Sequence, residues 1–168
     1  QYKASPPTQA TRVELKQSDF NGGTLRITHG NCIFVLIENI VIEPGEAPDF
    51  SPSGPTTEHP WPPYQLGWFA GITVETSDPV VIDLNGKILK QSELFHLQQR
   101  FFALIELGDQ PFLSGQGPSE FGPFTGCSNV TIQNGVLDRS SHHGIHSAGE
   151  ASNILLENLI VQNFEVAG

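Results

Sequence analysis

Short apolar runs alternate with Asn, Gly and Ser along this chain, and no long amphipathic stretch interrupts them. Runs such as "CIFVLI" (32–37) and "VVID" (80–83) are rich in β-branched residues and bounded by turn formers. That length and branching suit strands and exclude long helices. The pattern predicts strands at 13–15, 24–28, 32–42, 71–75, 80–83, 86–90, 101–107, 129–133, 136–137, 144–146, 154–157 and 159–162. One short helix is predicted at 92–99, "SELFHLQQ", with Ser92 as its N-cap.

The apolar runs recur. "SNVTIQNGVL" (128–137) aligns with "SNILLENLIV" (152–161) at an offset of 24, pairing Asn129 with Asn153 and Asn134 with Asn158. "GITVETSDPVVIDLN" (71–85) aligns with "GIHSAGEASNILLEN" (144–158), and "FVLIENIVI" (34–42) with "ILLENLIVQ" (154–162). Asn39, Asn85 and Asn134 then follow one another at roughly two periods. A coil of this length cannot bury its own apolar face, so it stacks on the next, strand above strand, at about 4.8 Å. Asn at a fixed coil position suits left-handed backbone, and stacked Asn side chains can form a hydrogen-bond ladder. The expectation is an all-β parallel solenoid with coils of about 24 residues, forming a single domain over 1–168.

Three segments stand apart from the repeat. Residues 1–12 form a polar, Pro-containing N-terminal arm. Residues 44–69 hold seven prolines and five aromatics, among them Trp61, Tyr64 and Trp68. Residues 108–126 form a second loop, rich in Gly, Pro and Phe. Trp and Tyr rings in such a loop could stack on sugars or fold down to cover the solenoid.

Composition narrows the function classes. The formal net charge is -10 and no Lys/Arg cluster occurs, which disfavours nucleic acid and anionic surfaces as partners. No apolar run is long enough for a membrane-spanning helix. There is no Met anywhere, including position 1, and the chain stops just after a strand pattern at 159–162. It therefore reads as a piece of something longer, so further coils or other subunits are expected as partners. Cys32 and Cys127 allow either one disulfide or two buried thiols. Asn129-Val130-Thr131 is a glycosylation sequon inside a strand pattern.

Candidate chemistry concentrates in "SHHGIHS" (141–147), which holds His142, His143 and His146. On a helix His142 and His146 could chelate zinc. On a strand they stand about 13 Å apart, too far for one ion. No metal or cofactor is expected. His143 and His146 should face opposite sides of the strand, with Ile145 inward and His146 outward. Asp138, His143 and His146 are the catalytic candidates, with a neutral imidazole as acid or base. Arg139, His142, His146, Trp61, Tyr64 and Trp68 are the ligand-binding candidates. Arg100 is expected to pair with Glu106 or Glu93.

These residues carry a resemblance. The repeat resembles the right-handed parallel β-helix of the pectin-lyase-like superfamily. More narrowly, "VVIDLNGKILKQS" (80–92), "LQQRFFALIELGDQPF" (97–112) and "DRSSHHGIHSAG" (138–149) resemble β-helix proteins of algae and large DNA viruses. The superfamily's polygalacturonase-like enzymes use paired aspartates, Gly-His-Gly and Arg-x-Lys. Only His143-Gly144 hints at that set here. The calcium-binding acidic cluster of pectate-lyase-like enzymes is also missing, since the six aspartates are scattered. The resemblance thus implies a structural or surface module of an extracellular, cell-surface or virion assembly, one that could contact glycans. The alternative is a polysaccharide lyase or glycoside hydrolase domain.

Overall fold

The computed structural model describes residues 10–44, 69–98, 101–112, 121–124 and 126–168. Among them are eleven strands: β1 (Thr11–Leu15), β2 (Leu25–Ile27), β3 (Cys32–Leu36), β4 (Ile40–Ile42), β5 (Ala70–Val74), β6 (Val80–Asp83), β7 (Ile88–Gln91), β8 (Ala103–Glu106), β9 (Gly126–Ser140), β10 (His143–His146) and β11 (Glu150–Phe164). The helix α1 spans Glu93–Gln98, and the Ser92 hydroxyl accepts the Phe95 amide at 3.1 Å as the expected cap. A 3-10 turn at Gln17–Phe20, absent from the sequence pattern, buries Phe20. Most of loop 44–69, including Trp61, Tyr64 and Trp68, and Arg100 lie outside the described residues.

Every strand pair is parallel. β1, β3, β6 and the first half of β9 form one ladder, which the first half of β11 extends. β4, β7 and the second half of β9 form the next, extended by the second half of β11. β2, β5, β8 and β10 form a separate four-stranded sheet. The chain visits these ladders in the same order on successive passes. β11 lies over β9 with its partners displaced by 24 residues, as in Ile154 over Val130.

Left-handed residues let one continuous strand turn from ladder to ladder. Asn129, Asn134 and Arg139 in β9 have φ of 60°, 60° and 48°, and Asn153, Asn158 and Asn163 in β11 have 54°, 52° and 61°. A left-handed backbone costs an ordinary side chain about 1–2 kcal/mol, which Asn tolerates through local hydrogen bonding. The expected ladder forms: Asn153 Nδ2 donates to Asn129 Oδ1 and Asn158 Nδ2 to Asn134 Oδ1, each at 3.2 Å. Asn85 is also left-handed, but Asn39 is not among these residues. Asn39 instead accepts the Ile88 amide through Oδ1 at 3.0 Å. The two-period spacing from Asn39 therefore overstated the regularity of the turn.

The core runs through the middle of the stack, with Phe34, Ile82 and Ile132 from the first ladder facing Ile72 and Ile105 from the separate sheet. Cys32 and Cys127 are separate buried thiols, so the disulfide alternative is not realised. Register explains why. Cys32 pairs with Val80, which pairs with Val130. Cys127 therefore sits two rungs, about 9.6 Å, above Cys32 and is further offset along the strand. Bridged cysteines need Cα atoms within about 7 Å. Burial pushes the Cys127 thiol up to about 11, with the nearby Glu106 carboxylate adding to the effect.

β11 breaks the burial pattern. Leu156 and Val161 lie over Ile132 and Leu137, both fully buried, yet are 51% and 37% exposed.

Candidate functional site

The outer side of the four-stranded sheet gathers charge in a column. Arg26 of β2 pairs in register with Thr73 of β5, Thr73 with Glu106 of β8, and Glu106 with His146 of β10. Each pass thus contributes one polar residue. Arg26 grips Glu75 through Nε and Nη2 at 2.7 and 2.6 Å, and the Thr73 hydroxyl donates to Glu75 at 2.7 Å. Arg26 also lies over the Phe121 ring at 4.2 Å.

Glu106 is the centre of the site. Its side chain is fully buried, and Oε2 lies 2.7 Å from His146 Nδ1. Oε1 accepts the Ala148 amide at 2.8 Å. A buried carboxylate needs such partners, because desolvation of an unpaired charge is costly. When Nδ1 carries its proton toward Glu106, Nε2 is left as the proton acceptor.

The three histidines converge. His142 Nδ1 and His143 Nδ1 are 2.6 Å apart. The ring centroids of His143 and His146 are 4.7 Å apart. Phe112 stacks on His146 at 4.0 Å and on His143 at 5.2 Å, and meets His142 edge-on at 4.8 Å. The expectation that His143 and His146 face opposite sides is thus overturned. The cause is a break in strand alternation. Leu104 and Ile105 are consecutive yet both lie in the core, and the register skips Leu104 on both sides. Gly144 occupies the corresponding inward place, where a Cβ would meet the Phe164 ring at 2.8 Å. Two inward neighbours leave His143 and His146, one on each side of them, both facing outward. Burial, then the neighbouring His142 and His146 rings, pull the His143 pKa down to about 4.

The other candidates are placed elsewhere. Asp138 does not serve His146. It pairs with Lys90 in the second ladder, and its Oδ1 accepts Asn163 Nδ2 at 2.6 Å. Arg139 makes no ion pair with any described residue. Asn129 Nδ2, the atom a glycan would need, donates to the Ser77 carbonyl at 3.0 Å and to the Ser128 hydroxyl at 3.2 Å. Glu106 has taken His146 as its partner. Phe69 is fully buried against Phe101 and Phe121, so this end of the aromatic loop folds down as a cover.

Three carboxylates of the site stand outside the sequence-based candidates: Glu106, Glu75 and Asp109. Glu75 is held by Arg26, as above. Asp109 is fully buried, accepts the Phe124 amide through Oδ1 at 2.9 Å, and leaves Oδ2 without a hydrogen bond among the described residues. Its Oδ2 lies 3.7 Å from Arg26 Nη2. Desolvation raises the Asp109 pKa, and the Glu75 charge adds to this against the pull of backbone amides and Arg26. Among the described residues, no group of three or more His, Cys, Asp or Glu is arranged to hold a metal ion. No described helix is long and apolar enough to cross a membrane.

Comparisons add no relative: no family model matches the chain, and neither do the curated proteins or the solved structures.

Proposed function

We propose that the chain is a module of a right-handed parallel β-helix of the pectin-lyase-like kind. Its role is that of a structural or surface element in an extracellular, cell-surface or virion assembly. One observation carries the reading: β11 presents core-type positions, Leu156 and Val161, that no described strand covers. The strand order supports it, since successive passes visit the same ladders in parallel. In such a stack each layer supplies half of its neighbour's core. A further parallel layer, from the same polypeptide or another subunit, would bury those side chains and continue the Asn153 and Asn158 ladders. Dye binding and sedimentation test this. Binding of an apolar dye, or concentration-dependent association, that Leu156→Lys with Val161→Lys removes supports the reading. A monomer that binds no dye overturns it.

A second reading, a polysaccharide lyase or glycoside hydrolase, rests on the Glu106–His146 contact. A carboxylate from the neighbouring pass lies directly on the imidazole, as proton transfer requires. Phe112, stacked over that imidazole, opposes this reading. Incubation with a panel of plant and algal polysaccharides decides. Product that disappears with His146→Ala favours the enzyme, and no product from any of them sinks it.

A further inference from the structure

We propose that the open edge of β11 docks one parallel strand of a partner polypeptide, with side-chain amides five residues apart and basic residues over Glu150 and Glu157. A second copy of this chain does not fit. The inference deepens the first reading above and rests on it, since it names what covers β11.

From Asn85 onward, the corner asparagines point their amides the same way. Asn85 Nδ2 donates to the Leu36 carbonyl at 3.1 Å, and Asn129 Nδ2 to the Ser77 carbonyl at 3.0 Å. Asn134 Nδ2 donates to Asp83 Oδ1 at 3.3 Å. In β11, Asn153 and Asn158 donate to Asn129 and Asn134, and Asn163 Nδ2 donates to Asp138 Oδ1 at 2.6 Å. Each of these amides faces an earlier pass of the chain. Each Oδ1 is thereby turned toward a later pass, and Asn129 and Asn134 use theirs to accept from β11. No described strand lies over β11. Its edge therefore presents the Oδ1 atoms of Asn153, Asn158 and Asn163 beside the exposed Leu156 and Val161. Carboxamide oxygens accept, so the covering strand must donate. Asn at the matching positions does so and also tolerates the left-handed corners. β11 holds Glu150 and Glu157 and no Lys or Arg, which calls for basic residues opposite them.

A second copy meets these demands in neither orientation. Head to tail, its β1 would lie on β11. The register runs from Glu14 through Val35, Asp83 and Gln133 to Glu157, so that copy sets Glu14 on Glu157. Like charges at that range repel. The place over Asn153 falls to Ala10, which has no side-chain donor. The lower edge of the second ladder is also closed. Gln17 Nε2 donates to the Val41 carbonyl and Gln17 Oε1 accepts the Val41 amide, both at 2.8 Å. That clamp occupies the edge of β4 that would have to pair with β11. Tail to tail, two β11 edges related by a twofold axis run antiparallel and set glutamates and carboxamide oxygens against their own kind. Only a strand with its own donors and basic residues fits.

Fluorescence anisotropy of labelled peptides titrated with the 168-residue chain tests this. The probe is the sequence of residues 150–164 with Glu150→Lys and Glu157→Lys, which lays amide, apolar and basic groups on their partners. The control carries Asn153→Asp, Asn158→Asp and Asn163→Asp as well, which removes the donors and keeps the shape. Salt at about 1 M, where the Debye length is about 3 Å, screens the added charge. One probe should bind per chain, and the control should bind at least about tenfold more weakly. Leu156→Lys with Val161→Lys in the chain should abolish probe binding. Equal binding of the two peptides, or no binding of the probe, would overturn the inference. Concentration-dependent self-association of the chain alone would overturn it too, in favour of a second copy. That self-association, or an apolar dye held on β11, leaves the first reading standing. A monomer that holds neither dye nor peptide sinks both.

Discussion

Arg139 of β9 occupies the position that β11, lying directly over it, gives to Asn163. Its φ is 48°, and directly above it Asn163 has a φ of 61°. A left-handed Arg stores about 1–2 kcal/mol that Asn or Gly would not. Its guanidinium recovers little of this, since it forms no ion pair with the described residues. Loss of its packed stem on substitution costs a few tenths, about 0.3–0.5 kcal/mol. Arg139→Asn should therefore stabilise the chain by about 1 kcal/mol, a gain of roughly 2–4 °C in Tm for a chain of this size. Arg139→Gly should gain less, because glycine loses about 0.5–1 kcal/mol more entropy on folding. Arg139→Ala should gain nothing, since alanine meets the same backbone penalty. Urea and thermal unfolding of the four proteins give the ranking Asn above Gly above Ala and wild type. The strain account fails if Ala matches Asn, or if none exceeds wild type. Strain retained at one polar residue also suggests a use for it. The Asn variant should then be the more stable protein and the poorer binder of whatever Arg139 contacts.

Four further outcomes follow from the same geometry. Glu106→Leu leaves His146 Nδ1 and the Ala148 amide unpaired and should cost about 2–4 kcal/mol in urea unfolding, whereas Glu106→Gln should cost under about 1 kcal/mol. Gly71→Ala places a methyl 2.4 Å from Ile42 Cδ1 and 2.9 Å from the Leu104 carbonyl, and should lower stability by about 1–3 kcal/mol. The depressed His143 pKa stabilises the fold above pH 6.5, and that stability drains away as pH falls toward 4. The loss should be about 1–2 kcal/mol after allowing for solvent screening of a partly exposed ring, and His143→Gln should flatten the profile. The raised Asp109 pKa has the opposite sign, so Asp109→Asn should stabilise the protein at pH 7 and lose that advantage on acidification.

The strands were legible because burial imposes a period on the sequence. "SNVTIQ" and "SNILLE" share a ladder position, and nothing but stacking makes them alike. The charged column was not legible, because its members obey no period. His146 and Glu106 are 40 residues apart, since the loop at 108–126 intervenes between their strands. Within "FFALIEL", Glu106 reads as one polar interruption in a strand, and only register reveals its partner. The facing of His143 was misread for a local reason. Strict alternation across Gly144 would put the two rings on opposite faces, but the backbone there places two neighbours inward. Asp138 is near His146 in sequence, but the left-handed turn at Arg139 separates it into a different ladder.

The polar column also fixes an order of events as the chain is made. Arg26, Thr73, Glu106 and His146 come from four successive passes, so each is synthesised well before the one that lies beside it. Until the pass carrying His146 is in place, Glu106 stands at an open edge, hydrated and without its imidazole. Adding β10 takes that carboxylate out of water and pairs it in the same step. A layer that docks out of register by one residue would bury the charge unpaired. The pairing at Glu106 thereby favours the register in which His146 lies opposite it.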